Sequence, residues 1–181
     1  MSRTLAIYGG SFDPPHVAHT LVCAYVLASH RVDTLLVVPT AQHPFDKRLS
    51  PFADRMRMCE LAMRDLRRVE ICPIEEQLPG PSLTLHTLRA LRQRQPDDRL
   101  RLVIGSDLLS ESHAWHKFDE VVALAPPIVV QRSGHATHAG MPALPDVSST
   151  EIRRRLQAGE STEGLLDPQV AEYARAHGLY R

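Results

Sequence analysis

The sequence predicts an α/β fold in which a doubly wound parallel sheet binds its ligands at the carboxyl ends of the strands. Five short apolar segments fit buried strands, and they lie at residues 4–8, 34–39, 69–73, 101–107 and 127–132. Segments with helical spacing separate them, and this alternation is typical of helices that cover both faces of a parallel sheet. A glycine pair directly follows the first strand, at the kind of position where such sheets bind ligands.

Composition limits the class of protein. With 181 residues, the chain suits one domain over residues 1–181 that buries a proper core. Lys plus Arg and Asp plus Glu number 21 each and aromatic residues make up 5%, so neither a basic field nor stacking platforms favour a nucleic-acid partner. The sequence shows no signal-peptide pattern and no apolar run of membrane-spanning length. We therefore expect a cytoplasmic protein without a membrane or nucleic-acid partner.

The loop after the first strand has the features of a phosphate site. Gly9 and Gly10 have no Cβ, so a ligand can approach the backbone and its N–H groups closely. His16 and His19 stand three residues apart at the start of the next helix, where they share one face. The free N–H groups and the dipole of this first turn favour an anion. Backbone donors and two imidazoles together predict phosphate binding.

Other interpretations of this stretch fit the residues less well. No Gly-Lys-Ser/Thr follows the glycines, so it is not a Walker loop, and it lacks the three-glycine dinucleotide fingerprint. His16 and His19 could supply two zinc ligands, but zinc needs three or four, and no other His or Cys pair has matching spacing. We therefore predict no protein metal site. A turn that carries two ordinary surface histidines stays open as the structural alternative.

Three later positions carry candidate ligand contacts. Lys47 lies in the polar loop after the second strand, where a phosphate contact and a solvated surface lysine both fit the sequence. Thr84 and Thr87 open a Leu-x-x-Leu pattern and are predicted to be cap and first-turn residues of a helix. Asp107 follows Gly-Ser at the end of the fourth strand, where a carboxylate can accept hydrogen bonds from ribose hydroxyls.

A second strong pattern lies near the end of the sequence. Residues 148–150 are Ser-Ser-Thr, and Glu151 follows near the start of a predicted helix. This is an N-terminal capping pattern, and three hydroxyls at a helix N-terminus also suit a triphosphate. Arg153 lies one turn into the helix and can present a bidentate guanidinium. Taken alone, the segment is more typical of a cap followed by a solvated basic face.

These two stretches resemble the signatures of the nucleotidylyltransferase superfamily. Residues 9–19, Gly-Gly-Ser-Phe-Asp-Pro-Pro-His-Val-Ala-His, are similar to its Gly-x-Phe-Asp-Pro-x-His-x-Gly-His motif, and residues 147–153, Val-Ser-Ser-Thr-Glu-Ile-Arg, to its Ile-Ser-Ser-Thr-x-Ile-Arg motif. The chain resembles bacterial nicotinate-nucleotide adenylyltransferases in particular, over nearly its whole length. The resemblance implies a single-domain, Rossmann-like fold of the nucleotidylyltransferase type. The chain departs from the family pattern at Ala18, Asp46, Leu83 and His86.

The resemblance also implies an activity, the transfer of AMP from ATP to nicotinate mononucleotide, which yields nicotinate adenine dinucleotide and pyrophosphate in NAD biosynthesis. Mg²⁺ would accompany the ATP phosphates. The implied catalytic residues are His16, His19, Lys47 and Arg153. ATP would contact Gly9, Gly10, Ser11, Phe12, His19, Asp107, Ser149, Thr150 and Arg153. The pyridine nucleotide would contact His16, Lys47, Thr84, Thr87 and Trp115.

Alternatives stay open within this activity and outside it. Nicotinamide mononucleotide or another phosphate monoester, such as phosphopantetheine, is the alternative acceptor. Leu83 motivates this alternative because it replaces a family tyrosine whose ring would stack on a pyridine. A protein that binds nucleotides without turning them over is the alternative of another class. The sequence also leaves open whether the chain forms a homo-oligomer.

Overall fold

The computed structural model describes residues 2–45, 47–106, 115–131 and 145–181. Within these residues one parallel sheet has the strand order β3-β2-β1-β4-β5. Its strands are β1 (Thr4–Gly10), β2 (Thr34–Pro39), β3 (Val69–Ile71), β4 (Arg99–Gly105) and β5 (Pro127–Val130). The predicted doubly wound α/β fold is confirmed, with β1 at the centre.

The helices in the described part of the chain alternate with the strands, as the sequence predicts. They are α1 (Val17–Ser29), α2 (Phe52–Met63), α3 (Thr84–Arg94), α4 (Phe118–Leu124), α5 (Ser149–Ala158) and α6 (Pro168–Ala176), with a short 3₁₀ helix at Ile74–Gln77. None of these helices has the length and apolar character needed to span a bilayer. The strand bounds differ slightly from the prediction, since β3 ends before Pro73 and β4 begins at Arg99. The predicted end of the fifth strand, Arg132, lies outside the described residues.

Both faces of the sheet are buried, which explains why its strands are continuous apolar runs. Alternate residues of each strand point to opposite faces. On one face the buried residues of β1 and β2 pack against α1 and α2, and this cluster includes Ala6, Val37, Val22, Val26 and Cys59. On the other face they pack against α3 and α4, and this cluster includes Leu5, Ile7, Leu88, Leu91 and Val121. The two helical layers cover the faces of the sheet and leave the carboxyl ends of its strands uncovered.

A third cluster joins the C-terminal helices to the start of α1. Ala18 of α1 and Met58 of α2 are buried against Ile152 of α5 and Val170 of α6. The N–H of Val17 also donates to the carbonyl of Leu165 at 2.9 Å. The segment after β5 therefore returns to the loop that follows β1.

The helix ends follow the sequence in two places and depart from it in one. Ser148 caps α5 by accepting a hydrogen bond from the N–H of Glu151 at 3.2 Å, and Pro168 occupies the first turn of α6. The predicted threonine cap of α3 is wrong. Leu83 is the residue that precedes this helix, and the hydroxyl of Thr87 donates instead to a carboxylate outside it.

An ion-pair group on α5 gives the fold a pH dependence. The carboxylate of Glu151 accepts hydrogen bonds from Arg154 and Arg155, and these bonds lower the pKa of Glu151 to about 2. Because the folded-state pKa lies below the unfolded value of 4.5, these pairs contribute stability above about pH 4.5. The contribution is lost as the pH falls toward 2.

We expect Glu151→Gln to lower the Tm slightly at pH 7, and the difference from the wild type to close between about pH 4.5 and pH 2. Thermal unfolding followed by circular dichroism across this pH range measures the difference. Glu163→Gln, which changes an exposed glutamate after α5, is the matched control. A Glu151→Gln difference that stays constant down to pH 2 would contradict the assigned ion pairs.

Candidate active site

The loop after β1 lies at the point where the chain changes direction across the sheet. From β1 the chain first builds β2 and β3 on one side, and then returns to build β4 and β5 on the other. Ligands of open α/β sheets bind at such a switch point, beyond the carboxyl ends of the strands. A cavity and a cluster of phosphate-compatible groups meet here at Gly9, Gly10 and Ser11.

The cavity has a volume of about 470 Å³ and a largely apolar wall. Strand residues such as Ile7, Val38 and Ile104 form its floor. Three of the residues predicted to contact a pyridine nucleotide line it, namely Thr84, Thr87 and Trp115. Its size suits a small organic ligand rather than a macromolecule.

The two glycines of the loop serve different purposes. A Cβ on Gly10 would lie 3.1 Å from Cζ of Phe12, so glycine is what lets the Phe12 ring pack there. Phe12 is buried and has φ 47°, and its ring contacts Tyr8 and His19 edge-on, with centroids 5.4 and 4.9 Å away. A Cβ on Gly9 would meet no atom within 4 Å and would project into open space beside the cavity. Gly10 therefore keeps the loop folded, and Gly9 keeps room for a ligand.

His16 and His19 stand at the start of α1 with their rings together. His16 is buried and precedes the helix, and the ring centroids of the two histidines are 3.8 Å apart. The backbone N–H of His16 donates to Nδ1 of His19 at 3.1 Å. A neutral imidazole that accepts at Nδ1 carries its proton on Nε2. His19 is thus set to donate a hydrogen bond from Nε2, as an anion site requires.

The start of α5 is bonded directly to this loop. The hydroxyl of Ser149 donates to the carbonyl of Pro14 at 2.9 Å. Arg153 donates to the carbonyl of Asp13 at 2.7 Å and to the hydroxyl of Thr150 at 3.2 Å. The two motifs that stand far apart in the sequence therefore meet, and the predicted residues Ser149 and Arg153 bond directly to the loop that precedes His16.

A buried arginine holds the loop from the side of α2. Arg55 is 1% exposed, and it donates to the carbonyl of Ser11 and to the carbonyl of Ser50, both at 2.9 Å. Burial lowers the pKa of Arg55, while the nearby carboxylate of Asp13 acts in the opposite direction. The guanidinium places a positive charge beneath the loop, on the side away from solvent.

Asp13 carries a carboxylate that is also buried, with 3% exposure. Its Oδ2 accepts from the N–H of Ser50 at 3.1 Å, and its Oδ1 accepts from the hydroxyl of Tyr180 at 2.6 Å. Burial and this bond to Asp13 raise the pKa of Tyr180. The last residues of the chain thus contact the centre of the site.

Two residues that the sequence did not single out shape the rim of the cavity. Glu75, in the 3₁₀ helix, accepts from the hydroxyl of Thr87 at 2.8 Å and from the N–H of Ala41 at 3.2 Å. Ser82 accepts from the N–H groups of Ala41 and Gln42 at 3.1 and 3.2 Å. These bonds hold the loop after β2 against the start of α3. An acidic residue in a short turn gives no local signal for such a role.

The remaining predicted residues are more dispersed. Lys47 is exposed and borders a second, shallower cavity of about 360 Å³, which His43 shares with the first. Burial and the charge of Lys47 lower the pKa of His43. Trp115 is half-buried and packs edge-on against Phe118, with ring centroids 5.8 Å apart. The predicted ribose contact, Asp107, lies outside the described residues.

The described residues contain no group of three or more His, Cys, Asp or Glu side chains that could hold a metal ion. Cys23, Cys59 and Cys72 are free thiols, and burial raises the pKa of Cys23 to about 12. A thiol that stays protonated is a poor metal ligand and a poor nucleophile. The side chains that the described residues bring to the loop after β1 include imidazole, guanidinium and hydroxyl groups.

The sequence of the chain matches a known protein family and relatives of similar length. A sequence model of the cytidylyltransferase-like family matches residues 7–155. A relative from Anaeromyxobacter sp. (strain K), named "Probable nicotinate-nucleotide adenylyltransferase", is 46% identical over 99% of this chain and 97% of its own length. A relative of the same name from Myxococcus xanthus is 39% identical over 97% of this chain and 94% of its own length.

Solved structures share the fold. The nicotinic acid mononucleotide adenylyltransferase of Plasmodium falciparum, solved in complex with NaAD, superposes with a TM-score of 0.84 at 20% identity, covering 98% of this chain and 97% of its own. A structure from Vibrio parahaemolyticus, named "Putative Nicotinate-nucleotide Adenylyltransferase", gives a TM-score of 0.76 at 22% identity over 99% of this chain and 96% of its own. Because both identities are low, these superpositions establish the shared fold and nothing further.

The role of Arg55 can be tested through stability. Arg55→Lys keeps the charge but replaces two donor nitrogens in a planar fork with a single ammonium nitrogen, so we expect the free energy of unfolding to fall by about 2 kcal/mol. Urea denaturation measures this change. Arg57→Lys, at an exposed position on the same helix, is the matched control. Equal stability of the two variants would show that the bonds to Ser11 and Ser50 contribute little.

Proposed function

Because the chain belongs to the cytidylyltransferase-like family, we propose that it transfers AMP from ATP to nicotinate mononucleotide, forming nicotinate adenine dinucleotide and pyrophosphate in NAD biosynthesis. One observation carries the proposal. A histidine pair and the start of α5 are joined around the loop after β1, beside a cavity of small-ligand size. Relatives that match nearly the whole chain carry the name of this activity.

The reaction needs alignment and charge stabilisation more than proton transfer. The attacking group is a phosphate monoester with a second pKa of about 6, so it is largely ionised near neutral pH without a general base. The enzyme then has to hold two phosphates in line and to stabilise the charge that develops on the α-phosphate and on pyrophosphate. Preorganised donors suffice for both tasks, and such donors surround the loop after β1.

His19 is the residue we assign to the transition state. Its Nε2–H can donate to an oxygen of the α-phosphate, and the bond from the His16 N–H fixes the ring for this purpose. His16 stands at the N-terminus of α1, where the helix dipole favours negative charge. We assign His16 to the phosphates of both substrates, close to His19.

The remaining ATP contacts follow the loop and α5. Gly9 allows close approach to the backbone, while Gly10, Ser11 and Phe12 continue the loop. Ser149, Thr150 and Arg153 would hold the triphosphate at the N-terminus of α5. Mg²⁺ bound together with ATP would supply positive charge that offsets the charge of the phosphates, and it would need few protein ligands. Asp107 stays a predicted ribose contact.

The cavity is the proposed site of the pyridine nucleotide. Trp115 offers an aromatic face in its wall, and Thr84 stands at the start of α3 beside it. The hydroxyl of Thr87 is bonded to Glu75, so we assign Thr87 to shaping the wall rather than to direct hydrogen bonding. Lys47 would reach the nucleotide phosphate from the neighbouring loop. Leu83, which replaces the tyrosine of the family pattern, lines the same cavity. Nicotinamide mononucleotide and phosphopantetheine therefore remain alternative acceptors.

Removing the imidazole of His19 tests catalysis. We expect His19→Ala to lower kcat for pyrophosphate release by about a hundredfold or more, because a preorganised donor is lost from the transition state. A coupled pyrophosphate assay with ATP, Mg²⁺ and nicotinate mononucleotide measures the rate. His30→Ala, at the far end of α1, is the matched control and should keep the wild-type rate.

The same assay separates the alternatives. Faster turnover of nicotinamide mononucleotide or phosphopantetheine would keep the mechanism and change the acceptor. ATP binding by the wild-type chain without pyrophosphate release from any acceptor would favour a nucleotide-binding regulator.

Removing the indole of Trp115 tests the acceptor site. We expect Trp115→Ala to raise KM for nicotinate mononucleotide about fivefold, because stacking contributes about 1 kcal/mol, and to leave KM for ATP unchanged. Trp115→Phe keeps an aromatic face and should recover most of the affinity. An equal rise in both KM values would place Trp115 outside the pyridine site.

A further inference from the structure

The Asp13 carboxylate places a negative charge inside a site that is proposed to bind anions. This inference rests on the proposed function, in which the loop holding Asp13 aligns two phosphates. A buried carboxylate is costly unless it is paired and hydrogen-bonded, and beside phosphates it would also add repulsion. Asp13 is 3% exposed, so solvent does not screen its charge. The surrounding groups must therefore fix the orientation of this carboxylate and offset its charge.

Both carboxylate oxygens are held by donors from other parts of the chain. Oδ1 accepts from the Tyr180 hydroxyl at 2.6 Å, and Oδ2 accepts from the N–H of Ser50 at 3.1 Å. The positive charge of Arg55 acts against the charge of Asp13 from below the loop. Of these donors, Tyr180 comes from the greatest distance in sequence, 167 residues away. Tyr180 can donate this bond only when the residues after α6 pack against the rest of the fold.

The backbone at Tyr180 is arranged to deliver this hydroxyl. Tyr180 has φ 62°, a left-handed conformation that is uncommon for residues other than glycine. Such conformations persist where surrounding contacts compensate for their cost. Here the ring packs against the cluster that joins α1, α5 and α6, and the hydroxyl lies 3.9 Å from the sulfur of Met58. The left-handed backbone and the packing of the ring together place the Tyr180 hydroxyl within hydrogen-bonding distance of Asp13.

We propose that Tyr180 is a positioning residue for the reaction. Its hydroxyl fixes the Asp13 carboxylate, and so holds the loop with its carbonyl on Arg153 and with His16 and His19 in place for the phosphates. The bond is needed for alignment rather than for substrate affinity. A small displacement of aligned groups costs rate because alignment counts in the transition state. The effect should therefore appear in kcat, with KM for both substrates nearly unchanged.

The chain contains a matched control for this bond. The hydroxyl of Tyr173, on α6, donates to Oδ1 of Asp54 at 2.8 Å. This is the same tyrosine–aspartate chemistry, again from a C-terminal tyrosine, but it joins α6 to α2 and does not touch the loop after β1. A role confined to holding down the end of the chain would make Tyr173→Phe and Tyr180→Phe equivalent.

The experiment compares Tyr180→Phe, Tyr173→Phe and Asp13→Asn with the wild type. For each, kcat and KM are measured by pyrophosphate release well below the lowest Tm, and the Tm is measured separately. We expect Tyr180→Phe to lower kcat roughly tenfold. This change in rate corresponds to the free energy of one hydrogen bond to a charged group. Tyr173→Phe should keep the wild-type kcat, whatever the change in its Tm.

Asp13→Asn tests the same bond from its acceptor side. The amide would turn an NH₂ group toward one of the two donors, so kcat should fall at least as far as in Tyr180→Phe. If Tyr180 acts through Asp13, the double variant should lose no more than the larger single loss. A full kcat in Asp13→Asn overturns the proposal, and this arm decides the matter if Tyr180→Phe does not fold.

The remaining outcomes separate this inference from the proposed function. Wild-type turnover with an equal kcat in Tyr180→Phe overturns the positioning role alone. A fall in kcat that is the same in Tyr180→Phe and Tyr173→Phe also overturns it, and reduces the bond to a structural one. No pyrophosphate release by the wild-type chain overturns the proposed function, and this inference with it.

Discussion

The loop after β1 can serve a ligand because other parts of the chain bind its carbonyl groups. Arg55 binds the carbonyl of Ser11, Arg153 binds that of Asp13, and Ser149 binds that of Pro14. Buried backbone groups need partners, and none of the strands in the described part of the chain extends along residues 11–16 to supply them. Side chains from α2 and α5 fill that need. The rest of the site follows from this constraint, because a loop held by its carbonyl groups keeps His16 and His19 in a fixed position at the start of α1.

The architecture is largely readable from local pattern. β2 occupies residues 34–39 as predicted, because an apolar run closed by proline marks a strand buried on both faces. The histidine pair and the Ser148 cap were also predictable, since both depend on spacing within one helix turn. Such features need no knowledge of what lies across the sheet.

The rest of the site depends on contacts that no local pattern encodes. Thr87 fits a first-turn residue by propensity, yet its hydroxyl binds Glu75, which stands 12 residues earlier in a short turn. Tertiary contacts of this kind override the preference of a threonine for its own helix end. The bond between Tyr180 and Asp13 spans nearly the whole chain, so only the folded arrangement reveals it. Pairing across the fold, rather than composition, selects these side chains.

The departure at Ala18 fits the same constraint. The family pattern has glycine at this position, and a methyl group here adds bulk directly after the loop that follows β1. Ala18 is instead buried in the cluster that contains Met58 and Ile152, so its methyl adds apolar contact between α1 and the C-terminal helices. That interface also brings Arg153 and Tyr180 to the loop. The methyl group of Ala18 adds contact at this interface, so folding of the last helices is a condition for assembling the proposed phosphate site.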